Sequence, residues 1–389
     1  MDCAYFDDGR CRSCTLLDVA YDRQLALKQE RARELIDGYA GGSGSGIAWL
    51  PPAASETAGF RTKAKLVIGG TTDAPTLGIL DAERRGVDLE GCPIVASPIR
   101  DVLPRLAAFI TAAKLVPYDV PARRGELKYL IITASARGEL MVRFVLRSTE
   151  SVARIRKHLP ALRAELPQLV VATVNLLPEH KAVLEGDEEL WLTEQRALEL
   201  PLGEVTLQLL PRSFVQTNEG ISTRLYRRAA AWVEGLAPAS VWDLYCGVGG
   251  FALHLAAPGR QVTGVEVSED AVESARRAAS VAGLNAMFTA ADATRFALES
   301  NAAPELVVVN PPRRGIGPEL AGWLEACDAA HVLYSSCNAE SLARDLAAMP
   351  SLQPVRAQLF DMFPHTSHFE TLVLLERVPA AAPGSVPAS

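Results

Sequence analysis

Seven cysteines and one late glutamate carry most of the chemistry this sequence offers. Cys337 stands in Tyr334-Ser335-Ser336-Cys337-Asn338, directly after a short apolar run, and so reads as a thiol in the exit loop of a buried strand. In a doubly wound fold that loop lies at the carboxyl edge of a parallel sheet, where ligands bind. A thiolate there is a nucleophile, although a loop cysteine with nothing around it is commonly inert. Glu370 opens the later run Glu370-Thr371-Leu372, where it is either a proton acceptor or a plain strand cap. Cys3, Cys11 and Cys14 form C-x7-C-x2-C in a polar segment, and Cys92 follows far downstream before a proline. Four such thiolates suit an iron–sulfur cluster or a tetrahedral zinc, and the spacing alone leaves both open beside plain free thiols.

The elements that must position these residues follow from length and pattern. A chain of 389 residues with 49% hydrophobic content holds two or three domains with their own cores. No apolar run is long enough to span a bilayer and the start does not resemble a signal peptide, so a soluble, cytoplasmic monomer with reduced cysteines is expected. Lys plus Arg total 39 against 46 acidic residues, and the net charge of −7 weighs mildly against a nucleic-acid partner. Local clusters weigh the other way: Arg61, Lys63 and Lys65; Arg123, Arg124 and Lys128; Arg143 and Arg147; Arg224, Arg227 and Arg228. On a strand, Arg61, Lys63 and Lys65 share one side, and an acidic enzyme can still bind RNA through one basic groove.

Residues 15–37 read as an amphipathic helix and 41–46 as a flexible glycine-serine connection. The pattern predicts strands at 65–69, 127–133, 140–146 and 169–176 and helices at 99–115 and 151–166, an α+β arrangement with a largely antiparallel sheet. After Asn218 the grammar changes. A helix to about Gly235 leads into an apolar strand at 240–246 that ends in Gly247-Val248-Gly249-Gly250, and a helix opens at Phe251. The strand at 261–266 ends in Glu266, the place of a carboxylate that holds ribose hydroxyls. Strands at 286–290, 305–310 and 331–334 follow, the second ending in Asn310-Pro311-Pro312-Arg313, and a hairpin at 359–375 closes the sheet. The glycine spacing lacks the final glycine of a dinucleotide site and no phosphate-cleaving loop is present, so an S-adenosylmethionine site fits best.

Assembled in this order, the motifs resemble the C5-uridine RNA methyltransferases over nearly the whole chain. The likeness rests on Cys3, Cys11, Cys14 and Cys92, on Phe60-Arg61-Thr62-Lys63-Ala64-Lys65, on the stretch from Arg124 to Lys128 and on Ser213-Phe214-Val215-Gln216-Thr217-Asn218. It continues through the stretch from Asp243 to Phe251, Asn310-Pro311-Pro312-Arg313, Ser335-Ser336-Cys337-Asn338 and His368-Phe369-Glu370-Thr371. The resemblance implies that Cys337 is the nucleophile and Glu370 the base. It also implies that Gln216, Tyr245, Glu266 and Asn310 contact S-adenosylmethionine, and that the four cysteines hold a [4Fe–4S] cluster. Asn310 replaces the aspartate of several branches, and the small β-barrel often fused in front is missing; both favour a branch acting on 23S rRNA. The expected fold is α/β, a Rossmann-like methyltransferase domain at 211–378 behind an iron–sulfur segment at 1–58 and a central α+β domain at 59–210, with a disordered tail at 379–389. A small-molecule methyltransferase, or a redox sensor with an idle cofactor domain, would share many of these features.

Overall fold

A computed structural model describes residues 1–39, 46–180, 183 and 185–378. The expected glycine-rich connection (all but Gly46) and the tail lie outside these residues. Two compact units emerge. One comprises Met1–Leu17, Glu56–Leu202 and Thr206–Gly220; the other comprises Asp18–Ser55, Gly203–Val205 and Ile221–Ser389. The chain therefore does not pack along the expected boundary at residue 58: helix Tyr21–Tyr39 and strand Ala48–Trp49 belong to the second unit. The helix repeats apolar residues on one face, which demands an apolar partner but does not name it.

The first unit is built on a seven-stranded sheet in the order Gly86–Asp88, Pro75–Leu80, Lys63–Gly70, Leu127–Ala134, Leu140–Leu146, Leu169–Leu176, Glu188–Trp191. Neighbours are antiparallel except Leu140–Leu146 with Leu169–Leu176, a parallel pair joined through helix Val152–Glu165. Alternation along the strands sends Ala64, Leu66, Leu130, Ile132, Val142 and Phe144 to one face. Helices Leu103–Ala112 and Val152–Glu165 cover it. The single helix expected at 99–115 is two, Ser97–Arg100 and Leu103–Ala112, because Pro104 favours a first turn over an interior position.

The opposite face corrects the reading of the basic clusters. Arg143 is only 2% exposed and its guanidinium donates to Glu189 at 3.0 and 2.6 Å and to Glu185 at 2.5 Å. Arg147 pairs with the buried Glu126 at 2.8 Å. These cations satisfy internal carboxylates, and Lys65 is the exposed member of the Arg61, Lys63, Lys65 row.

The second unit holds an eight-stranded sheet in the order Ala48–Trp49, Leu352–Phe360, Glu370–Arg377, His331–Ser336, Leu306–Val309, Ser240–Leu244, Gln261–Glu266, Ala286–Ala290. The last five in that order run parallel, Glu370–Arg377 runs antiparallel to both its neighbours, and strand order reverses between Ser240–Leu244 and Leu306–Val309. Leu306–Val309 is buried along its whole length, which explains its unbroken apolar sequence: a central parallel strand is covered on both faces. One layer of core joins Ile36 and Ile47 to Val307, Leu320, Tyr334, Leu342 and Val373. Helix Tyr21–Tyr39 lies against helix Ala339–Ala347 there. No described helix is long and apolar enough to cross a membrane.

Candidate active site and cofactor crevice

Reversal of strand order opens a crevice at the carboxyl ends of Ser240–Leu244 and Leu306–Val309, the position doubly wound folds use for ligands. Tyr245 leaves the first strand with φ +67°, a strained left-handed conformation for a residue with a side chain. Gly249 follows at φ +85° and starts helix Gly250–Leu255, so the chain turns sharply, and Ala252 N of that helix donates to the buried Asp243 at 2.8 Å. Glu266, at the end of the neighbouring strand, reaches back: one carboxylate oxygen accepts from Gly247 N at 3.2 Å and the other from Ser268 N at 3.0 Å. Asn310 is half-buried just past Leu306–Val309. Tyr245, Glu266 and Asn310 thus come from three adjacent strand ends of one unit. Gln216 belongs to the first unit, in a stretch tied to the start of its sheet by Thr62 N donating to Thr217 O at 2.8 Å.

The neighbouring loops are pinned from beneath. Asp345, buried on helix Ala339–Ala347, accepts from Tyr334 OH at 2.7 Å and from Ile316 N at 2.9 Å with the same oxygen. Gly315 passes directly over that carboxylate at φ +87°, and any side chain there would strike it. The loops after Asn310 and after Tyr334 therefore hold a fixed spacing.

Cys337 follows the last residue of His331–Ser336, and Asn338 caps the next helix by accepting from Glu340 N at 3.1 Å. Ser336 pairs with Thr371 at the end of the antiparallel ladder, and Cys337 leaves the strand directly after it, near enough to Glu370 for that carboxylate's charge to act on the thiol. Glu370 is 1% exposed, takes a hydrogen bond from Ser335 Oγ at 2.5 Å, and its second oxygen has no partner among the described residues. Burial pushes its carboxyl up to about 7. Burial also raises the Cys337 thiol, and the Glu370 charge raises it further, while the charge and hydrogen bond of Arg313 lower it. The amino-terminal turn of the following helix favours the thiolate as well. Cys337, Arg313, Asn338, His368 and Phe369 line a cavity of about 340 Å³. Arg313, which closes the Asn-Pro-Pro-Arg motif, and Ser335 were not assigned roles from sequence; the rigid motif and the adjacent serine pair were the signals available.

In the first unit, Cys3, Cys11, Cys14 and Cys92 line one cavity of about 410 Å³. Among the described residues no three Cys, His, Asp or Glu side chains are set to hold a single metal ion. Burial drives Cys14 up to about 11, and the other three thiols add to that rise. Arg61 lines the same cavity, feels the charges of Cys92 and Cys14, and has a buried Nε without a hydrogen-bond partner among the described residues. A partly buried guanidinium whose Nε is shut off from water gains from a counter-charge. Anionic sulfur ligands supply one, so the donor set and its surroundings fit a thiolate-bound anionic group.

The family model described as tRNA (Uracil-5-)-methyltransferase matches residues 193–378. Over 97% of its length the chain is 46% identical to the whole of 23S rRNA (uracil(747)-C(5))-methyltransferase RlmC of Serratia proteamaculans (strain 568). The enzyme of the same name from Yersinia pseudotuberculosis serotype I (strain IP32953) is 47% identical over 96% of this chain and 99% of its own. The crystal structure of Pyrococcus abyssi tRNA (uracil-54, C5)-methyltransferase in complex with S-adenosyl-L-homocysteine is 27% identical, with a TM-score of 0.75 over 93% of this chain and 85% of that one. Fold and crevice are those of an S-adenosylmethionine-dependent α/β methyltransferase. The chain belongs to the family of RNA (uracil-C5)-methyltransferases.

Proposed function

We propose that this protein, acting as a monomer, methylates C5 of a uridine in 23S rRNA through a covalent adduct at Cys337. The observation that carries the reading is a thiol just past the end of one strand, within the field of a buried carboxyl that opens the neighbouring strand and has one oxygen unpartnered among the described residues. Uracil C5 is too weak a nucleophile to take a methyl group unaided. In this reading the Cys337 thiolate bonds to C6, and the ring electrons move onto C5 and O4 as an enolate. S-adenosylmethionine supplies an electrophilic methyl; the new C5–CH3 bond forms as the sulfonium S–CH3 bond breaks. Glu370 then takes the C5 proton, the C5–C6 double bond re-forms and the thiolate leaves. A carboxyl poised near neutral pH is matched to that step. Tyr245, Glu266 and Asn310 hold the cofactor, Glu266 by accepting from ribose hydroxyls in place of its present backbone donors. The base cannot be reached within a stacked helix, so the cavity beside Cys337 takes an extruded or loop uridine.

The cavity in the first unit holds a [4Fe–4S] cluster on Cys3, Cys11, Cys14 and Cys92, with Arg61 as its counter-charge. Such a cluster would tie the segment Met1–Leu17 to the turn that follows strand Gly86–Asp88.

The test uses two variants that fail differently. Cys337→Ala forms neither product nor covalent complex. Glu370→Gln attacks and transfers the methyl group but cannot resolve, so methylated RNA stays bonded to Cys337 through denaturing electrophoresis. Normal turnover by Glu370→Gln, or an adduct mapped to Cys246 or Cys327, refutes the assignment. Mapping 5-methyluridine in the rRNA and tRNA of a deletion strain beside its parent decides the substrate.

A further inference from the structure

We infer that helix Tyr21–Tyr39 is a positioning element for the Cys337 pocket, acting through a buried clamp on the connection between Leu352–Phe360 and Glu370–Arg377. The inference rests on the covalent reading above. Tyr21, Gln24 and Lys28 lie on one face of the helix, and all three reach that connection. Lys28 Nζ donates to Asp361 Oδ1 at 2.6 Å and to the carbonyl of Phe363 at 3.0 Å. Tyr21 OH donates to the other Asp361 oxygen at 2.8 Å. Gln24 Oε1 accepts from His365 N at 2.9 Å, and its amide nitrogen lies 3.3 Å from His365 Nδ1. His365 itself sits at φ +63°, a conformation that the surrounding bonds must hold in place.

What the clamp holds leads directly to the chemistry. Phe360 and Glu370 are ladder partners, so the connection begins beside the proposed base and ends on it. On the way it contributes Ser367, His368 and Phe369 to the wall of the Cys337 cavity. His368 Nδ1 lies 3.0 Å from Arg313 Nη2, and Arg313 is the cation acting on the Cys337 thiol. Lys28 and Asp361 are 2% and 0% exposed. A buried ion pair is seldom more stable than well-packed apolar side chains in its place, so its value lies in fixing one geometry. Two charges with their extra bonds accept one arrangement of the loop, whereas an apolar pair accepts several.

Resolution of the adduct should suffer most, because Glu370 is attached directly to the clamped segment. Displacement of a base by about an ångström slows its step up to about a hundredfold. The experiment compares four proteins: wild type, Glu370→Gln, Gln24→Ala, and the double variant Lys28→Met with Asp361→Leu, which leaves no buried charge unpaired. The double variant should melt cooperatively and bind S-adenosylhomocysteine with wild-type affinity. With excess RNA it should nevertheless accumulate the covalent methylated adduct on denaturing gels, resolving it about tenfold to a hundredfold more slowly. Gln24→Ala should show the same adduct at a lower level. Wild-type resolution rates in both folded clamp variants, beside a trapped adduct in Glu370→Gln, overturn the inference. Absence of any adduct in Glu370→Gln overturns the covalent reading instead.

Discussion

Glu370 should make the second unit less stable as pH rises, and the size of that effect can be worked out. Burial lifts its carboxyl from 4.5 to about 7, with the Ser335 bond opposing the rise. The folded protein therefore keeps a proton that the unfolded chain has already released, and stability falls as pH climbs between those two values. Below 4.5 both states are protonated and the effect is absent; above 7 it is complete. At about 1.36 kcal/mol per pKa unit, the window is worth roughly 3 kcal/mol. Glutamine has the same shape and cannot ionise. The Glu370→Gln protein should thus gain on the wild type by that amount as pH is raised through the window, about 6–12 °C in melting temperature for a unit of this size. The glutamine oxygen can still accept from Ser335 Oγ, and the preference of that bond for the ionised carboxyl is already contained in the raised value. Asp243, also buried and pushed up to about 7, is present in both proteins and drops out of the difference. Thermal melts of both proteins across the window provide the assay. Parallel curves, with a gap that does not change with pH, would show that Glu370 is not desolvated as the structure has it.

Resolution of a pre-formed adduct should speed up as pH rises through about 7, since only the ionised carboxyl accepts the proton; a flat profile removes Glu370 as the base. Arg313→Met should move the alkylation midpoint of Cys337 to higher pH, because the cation and hydrogen bond that lower the thiol are gone; iodoacetamide kinetics with peptide mapping measure it. Glu266→Ala should weaken S-adenosylmethionine binding by about 1.5–3 kcal/mol with the fold intact, and unchanged affinity in calorimetry would place the ribose elsewhere. Protein purified without air should be brown with about four iron atoms per chain, and replacing Cys11 or Cys92 should remove the colour; a colourless protein with one zinc refutes the cluster.

The methyltransferase sheet was legible because its grammar is local. Apolar runs such as Leu306–Val309 mark buried parallel strands, and glycines after Leu244 mark a turn that needs positive φ. Strand Gln261–Glu266 was expected with the same limits, and Cys337 and Glu370 stand at the strand exit and strand start expected of them. The strands Pro75–Leu80 and Gly86–Asp88 were missed because proline, glycine and short length hide their alternation. Ala48–Trp49 has only two residues and is a strand by virtue of its partner Leu352–Phe360.

Charge was the least legible property, for a physical reason. Arg143 interrupts the run Leu-Met-Val-Arg-Phe-Val-Leu and reads as a surface cation, yet it is buried because Glu185 and Glu189 arrive from another strand and its approach. Lys28 reads as one more polar residue of an amphipathic helix, and its partner Asp361 lies 333 residues away. A sequence pattern reports what a side chain would prefer if solvated. Whether a cation is instead desolvated depends on a carboxylate supplied by tertiary structure, and no local period encodes that supply. Periodicity therefore locates the strand ends at which Cys337 and Glu370 stand, since strand ends are local features. Pairs such as Lys28 with Asp361 join residues far apart in the chain, so here the buried charge pairs, and not the position of Cys337, required the structure.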